Sequence, residues 1–213
     1  MADANGVSKK QILDLYEALG PRGVKSLATR TDNEILAALE AVRLEKLEGG
    51  HSLFRHGSQV SHPDLKHRLK TGYAPDAWTK PKRWSPTPGS TRFSSYSDWM
   101  KTRDAAFDGI LANHGVDLRL NVPPSPGAQT KYAIVVEHKG VIGGGHVGRP
   151  GTKVNIPDPS GQLVNRGYSA TDPVGGIKRT TTTIVWDSNL NRWKVVQHFP
   201  QARTTAPADY VVP

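Results

Sequence analysis

The period at which apolar residues recur changes once along this chain, and that change limits the fold more than any single motif. From Ser8 to Leu19, Ile12, Leu13, Leu15, Tyr16 and Leu19 fall at helical spacing, and Gly20-Pro21 stops the pattern. A second helix begins near Thr31 or Asp32. It carries Ile35, Leu36, Leu39, Val42 and Leu47, with Glu34 and Glu40 on other faces, and ends at Gly49-Gly50. Ser61-His62-Pro63-Asp64 reads as a third helix start, because Ser61 can cap, Asp64 stands three residues on, and proline is tolerated in a first turn. Leu65 and Leu69 then face a core with Arg68 beside them, until Thr71-Gly72. A fourth helix starts around Ser95 to Asp98 and runs through Trp99, Ala105, Phe107, Ile110 and Leu111. After Thr130 the reading is β: Tyr132–Val136, Thr180–Trp186 and Trp193–Phe199, the last two joined by a hairpin loop over Asp187–Arg192. Helices first and strands afterwards predict an α+β fold, N-terminal helices followed by a twisted antiparallel sheet. Residues 74–92 read as a long proline-rich loop, and the Gly- and Pro-rich stretch between Val136 and Arg179 as irregular, with short strands near Val141 and Val154.

Length and chemistry narrow this further. A chain of 213 residues suits one main domain with a small appendage, here a helical segment over 1–48 and a main domain over 49–213. The chain contains no cysteine, which excludes disulfides, thiol nucleophiles and the Cys-ligated zinc of nucleobase deaminases. MADANGVSKKQ carries no apolar leader core, and no stretch approaches the length of a membrane span. Lys and Arg outnumber Asp and Glu by 28 to 19, a formal charge of +9 that favours a polyanionic partner.

Four of the eight histidines lie within the seventeen residues from His51 to His67, in GGHSLFRHG followed by LKHRL, so this segment is the first place to look for chemistry. Cleaving RNA without a metal requires a base for the 2′-hydroxyl, an acid for the leaving 5′-oxygen, and donors for the charge on phosphorus. Histidine and arginine meet those needs near neutral pH. His51, after a glycine pair, and His56, between Arg55 and a glycine, are the candidates, whereas His62 and His67 read as members of a solvated face. No HExxH or other ligand pattern is present, so neither metal nor organic cofactor is expected. Gly143-Gly144-Gly145-His146 offers a possible phosphate cradle. Tyr73, Trp78 and Trp84, interleaved with Lys70, Lys80, Lys82 and Arg83, have the composition of a single-strand binding strip, a composition equally suited to tryptophans that cover a core.

The order GGHSLFRHG, LKHRL, STRF before a helix, and a hairpin closing on VVQHFP resembles the ribonuclease A-like toxin domain found at the C-termini of bacterial contact-dependent growth-inhibition and other polymorphic toxins. The resemblance covers roughly His51 to Pro200. It implies a kidney-shaped ribonuclease-like fold without disulfides, with His56 as the motif histidine, Arg68 as the arginine of the RL pair, and Gln197 and Phe199 before the last proline. This sequence departs from the pattern in two ways. The interval from His56 to Arg68 is one residue longer, and Gln197 and Phe199 stand where the family carries Thr and Tyr hydroxyls, so that His198 or His51 is expected to supply the missing acid or phosphate contact. A second resemblance, to EndoU-type ribonucleases, rests on His138, the glycine run, His146 and Lys153. At this level the choice between His51/His56 and His138/His146 stays open.

Both resemblances imply RNA cleavage to a 2′,3′-cyclic phosphate, with tRNA among the candidate substrates. The first also implies an acidic cognate immunity protein, and delivery as part of a larger secreted toxin that acts in the target-cell cytoplasm. Two rivals remain: an ADP-ribosyltransferase, for which the threonine run Thr180–Thr183 can be quoted, and a nucleic-acid-binding module without catalysis.

Overall fold

The computed structural model describes residues 8–76, 80–202 and 207–213. Four helices precede the main run of strands: α1 (Lys9–Leu27), α2 (Asp32–Glu48), the five-residue α3 (Ser52–His56) and α4 (His62–Thr71). Strand β1 (Gly89–Phe93) and helix α5 (Tyr96–His114) follow. The remainder is β2 (Lys131–Glu137), β3 (Gly143–Gly148), β4 (Lys153–Pro157), β5 (Leu163–Tyr168), β6 (Thr171–Ile177), β7 (Arg179–Asp187), β8 (Arg192–Pro200) and β9 (Tyr210–Val211). The fold is α+β, with helices before sheets. The strands form three sheets where the sequence suggests one: β1-β3-β6, β8-β7-β2-β9, and the hairpin β4-β5. All pairings are antiparallel except the short one between β2 and β9.

The unforeseen strands lie where glycine and proline mask the period. β1 emerges from the proline-rich loop, and the glycine run, expected as a cradle, is the central strand β3. A Cβ at Gly145 would sit 2.3 Å from the Ser90 carbonyl oxygen and one at Gly143 2.5 Å from that of Arg92, so glycine is what allows β1 to approach. The glycine backbone is thereby committed to strand pairing with β1 and β6, not to a phosphate.

Helix α1 starts with the capping box of Ser8 and Gln11. It leaves helical geometry at Gly20 (φ 70°, ψ 176°), where the sequence predicts a stop, but Pro21 restarts it and it continues to Leu27. Proline's fixed φ suits a first turn, which makes the pair a kink and not an end. Helix α2 corrects a second expectation. Glu34 is buried at 7% exposure, while Leu36 and Leu47 are 58% and 41% exposed. Glu34, Ala38, Ala41, Glu45 and Glu48 recur every three or four residues and form the buried face. Acids are tolerated there because each meets donors left over by another element. Glu34 accepts from the backbone N–H groups of Tyr96 (2.5 Å) and Ser97 (3.1 Å) at the start of α5. Glu45 does the same for α3, and Glu48 pairs with Arg103 and accepts from Val195 N (3.3 Å).

Two cores result, and α5 bridges them. Its first turns place Tyr96 and Trp99 with Leu15, Leu19, Ala38, Leu44, Phe54, Phe93 and Ile142, so the helices of 1–48 share a core with the rest. Its later turns pack Ala106, Phe107 and Ile110 on Tyr132, Ile134, Val136, Ile184 and Trp193 of the four-stranded sheet. Helix α3 lies against both β1 and β8, at the junction of the two larger sheets.

Candidate active site

The junction is built around α3. Gly49 ends α2 in the left-handed region (φ 64°), and Gly50 is hemmed in, since a Cβ there would lie 3.1 Å from both Glu45 Oε2 and the Val195 carbonyl oxygen. His51 provides no side-chain cap. Glu45 takes that role from outside the helix, accepting from Ser52 Oγ (3.1 Å) and Leu53 N (3.0 Å), and burial pushes its pKa up to about 7. With its first turn held in this way, the short helix presents His51 at one end and His56 at the other.

His56 is buried, and its ring lies 5.3 Å from that of Phe199, tilted by 31°. Its Nδ1 is 2.7 Å from the Thr91 carbonyl oxygen. A carbonyl can only accept, so Nδ1 carries the proton and Nε2 keeps the lone pair. Burial, followed by the charges of Arg68, His51 and Arg55, holds the pKa well below the usual histidine value despite the Thr91 contact. His51, half-buried, is lowered to about 4 by burial and by Arg55, with Asp76 opposing.

Arg68 is 7% exposed. It donates from Nε to Ser85 O (3.2 Å) and from Nη2 to Ser85 Oγ (3.3 Å), and among the described residues it meets no carboxylate at salt-bridge distance. Burial and Arg55 lower its pKa to about 10, with Asp76 opposing. Asp64, one turn earlier, is taken up by the helix cap, accepting from Ser61 Oγ (2.5 Å) and Ser61 N (3.3 Å). The acid that faces the cluster is Asp76. It receives Arg55 Nε (2.5 Å), Arg55 Nη2 (3.4 Å) and the main-chain N–H of Arg83 (2.7 Å).

A cavity of about 120 Å³ adjoins this group on its His51 and Arg55 side, lined by those two residues with Asp76, Lys80 and Arg83 among others, while His56 and Arg68 lie outside its lining. Lys82 lines the adjacent depression of about 320 Å³, and Lys80 stands 5.8 Å over the Phe54 ring in both walls. Trp78 lies outside the described residues. Trp84 packs on Gly72 and pairs through Tyr73, which accounts for it as structure.

The closing strand β8 splits the expected residues by its period of two. Phe199 and the exposed Gln197 share a face, the face that meets His56. His198 points the other way and is corrected as a catalytic candidate. It is fully buried, stacked 4.9 Å from Phe93, with Nδ1 2.8 Å from Thr182 Oγ1 and Nε2 2.9 Å from Thr102 Oγ1. Burial and Arg103 lower its pKa to about 3. His146 is likewise not a neighbour of His56. Its Nε2 is 3.0 Å from Nδ1 of His62 under α4. His138 bonds Thr180 (2.9 Å), and Lys153 stands on the separate hairpin, so the contacts of His138, His146 and Lys153 do not bring them together. The threonine run is strand β7, with Thr180 and Thr182 occupied by His138 and His198.

Among the described residues no three His, Asp or Glu side chains are grouped so as to hold a metal ion, and none of the described helices is long and apolar enough to cross a membrane. Sequence reasoning missed Asp76 and Glu45. A lone aspartate in a proline-rich loop and a glutamate on a charged helix carry no local signal of what they will meet. Comparison with protein-family models, curated proteins and solved structures finds no match for this chain.

Proposed function

We propose that this chain is a metal-independent ribonuclease whose site is His56, His51, Arg68 and Arg55. The observation that carries the reading is His56 itself: a buried imidazole with its proton pinned on Nδ1, lying within the field of a buried arginine that meets no carboxylate among the described residues. Such a ring is a base at neutral pH, and such an arginine is a receptor for an anion.

In the proposed reaction Nε2 of His56 takes the proton of a ribose 2′-hydroxyl, and that oxygen attacks the adjacent phosphorus. The P–O5′ bond breaks, the leaving oxygen takes a proton from His51, and the products are a 2′,3′-cyclic phosphate and a 5′-hydroxyl. Arg68 holds the charge that builds on the phosphoryl oxygens, while Arg55, paired with Asp76, adds to the positive field beside it. His51 can fill the acid role only when charged. Burial lowers its pKa to about 4, with Arg55, Arg68 and Arg83 adding to the shift, and a bound phosphate would offset the share that those cations contribute. Phe199 against His56, and Gln197 on the same face of β8, carry no hydroxyl or ionisable group, which leaves the acid to His51.

The +9 charge and the cation-lined cavity also suit an acidic protein inhibitor, as expected for a toxin delivered into a competing cell and neutralised in its producer. The test is incubation of purified protein with total RNA in excess EDTA, with end-group analysis. Cyclic phosphate ends from the parent and none from His56→Ala support the reading. Loss of cleavage on chelation, restored by one divalent metal, would overturn it.

A further inference from the structure

We infer that the outer face of α4, from His62 through Lys66 to Lys70 and on to Arg166 of the β4–β5 hairpin, is a second site that binds the phosphates of an RNA strand away from the bond that is cut. This rests on the ribonuclease reading for its biological sense, but the surface stands on its own geometry.

His62 and His146 form a hydrogen-bonded pair between α4 and β3, with rings at 90° and centroids 5.1 Å apart. His146 is 4% exposed, and its Nδ1 has no partner among the described residues. A stranded buried N–H is rarer and costlier than a bare acceptor, so the proton of His146 belongs on Nε2, where it donates to Nδ1 of His62. That fixes His62 with its own proton on Nε2, an exposed donor held in place by a buried ring. Burial of the pair, with Lys66 beside both rings and Arg92 beside His62, keeps the two imidazoles below the usual pKa.

Lys66 and Lys70 follow His62 at intervals of four residues, all three exposed, so they stand in a row about 6 Å apart along the helix. The β4–β5 hairpin abuts the end of this row, where Gly167 packs so closely on the Lys70 carbonyl oxygen that an added Cβ would lie 3.0 Å from it, and the exposed Arg166 is the adjacent residue along the strand. Among the described residues neither lysine nor Arg166 is in a salt bridge, whereas elsewhere Arg43, Lys46, Arg119 and Arg149 are paired on the surface. An evenly spaced line of unpaired donors matches the repeating charge of a nucleic-acid backbone better than the irregular charge of a protein surface. Arg68 lies on the opposite, buried face of the same helix, so the row stands apart from the cluster around His56.

The test is the salt dependence of binding to a single-stranded RNA, measured in His56→Ala so that nothing is cut. The triple variant His62→Ala, Lys66→Ala, Lys70→Ala should lower the slope of log affinity against log salt by about 1.4, about 0.7 for each of the two lysine charges removed, with the neutral His62 donor adding to affinity but not to the slope. Lys101→Ala, on the exposed side of α5, controls for net charge. With the cleaving parent background, the triple change should raise KM for a long RNA and leave kcat/KM for a dinucleotide unchanged. A triple variant whose slope and affinity equal those of Lys101→Ala overturns the proposal. So does one that keeps its RNA binding but loses binding to an acidic polypeptide, which would assign the face to a protein. If the parent cleaves no RNA but the slope still falls, the second site stands and the ribonuclease reading fails.

Discussion

His56 and His198 are both buried, both neutral at pH 7 and both packed against a phenylalanine ring, yet their hydrogen bonds and charged neighbours differ. His198 has a partner on each nitrogen, Thr182 and Thr102, and lies between Phe93 and Trp99 inside the core. His56 has a partner on one nitrogen only among the described residues, Thr91 O, and its neighbours include Arg68, Arg55 and His51. A buried polar side chain with all its bonds made is structure, and one with a bond left open beside a buried cation is a candidate for function.

The largest break in that comparison should come from His56→Ala. Loss of a positioned base is expected to reduce single-turnover RNA cleavage by about 10²–10⁴, with the circular dichroism spectrum unchanged. Arg68→Lys comes next. It keeps the charge but loses the planar pair of donors, so cleavage should fall by roughly 10²–10³ while RNA affinity is retained. Parental rates in either variant would remove that residue from the mechanism.

His198 should behave in the opposite sense. His198→Ala opens a cavity and strands two buried hydroxyls, and is expected to cost about 2–4 kcal/mol in urea unfolding, with cleavage per folded molecule unchanged. The same ring makes the fold sensitive to acid. Its folded pKa of about 3 lies below the ordinary 6.5 of the unfolded chain, so below pH 6.5 only the unfolded state takes the proton. Stability is therefore present in full above pH 6.5 and is lost as pH falls toward 3. Glu45, raised to about 7, works the other way, losing stability as pH rises from 4.5 through 7. Comparing parent with His198→Gln isolates the histidine: between pH 6 and 4 the variant should lose less stability, by up to about 1.4 kcal/mol per pH unit. Equal slopes would mean that His198 is not withheld from protonation.

What is legible in the sequence follows from periodicity and caps. Four of the five described helices, the start of α4 at Ser61 and that of α2 near Thr31, and the β7–β8 hairpin are readable because local spacing dictates them, whereas the five-residue α3 and the continuation of α1 beyond Gly20-Pro21 are not. Strand β3 is not, because glycine has no side chain to show a period, and the need for it lies on β1. The buried acids of α2 escape a local reading because their partners include the backbone N–H groups of α3 and α5, elements that lie further along the chain. Within the candidate site, His51, His56 and Arg68 can be named from one segment, and the structure places all three around the same cluster. The alternation along β8 decides between Gln197 and His198, but only after the register puts Phe199 against His56.

The smallest expected effect bears on whether Arg68 is free for a substrate. If its charge were answered by Asp64 one turn away, the pair would be an ordinary helix-surface contact and Arg68 would have no anion left to bind. Instead both Ser61 bonds to this side chain use Asp64 Oδ2, closing a capping box on α4. Asp64→Ala should then act as the loss of a cap, lowering stability by about 1 kcal/mol and leaving the cleavage rate of the folded protein at the parental value. Asp64→Asn should recover part of that stability, since its amide oxygen can still accept from Ser61. A change in cleavage rate that exceeds the change in folded fraction would show that Asp64 tunes Arg68 after all, and the contrast between a satisfied core histidine and an open catalytic cluster would lose its second member.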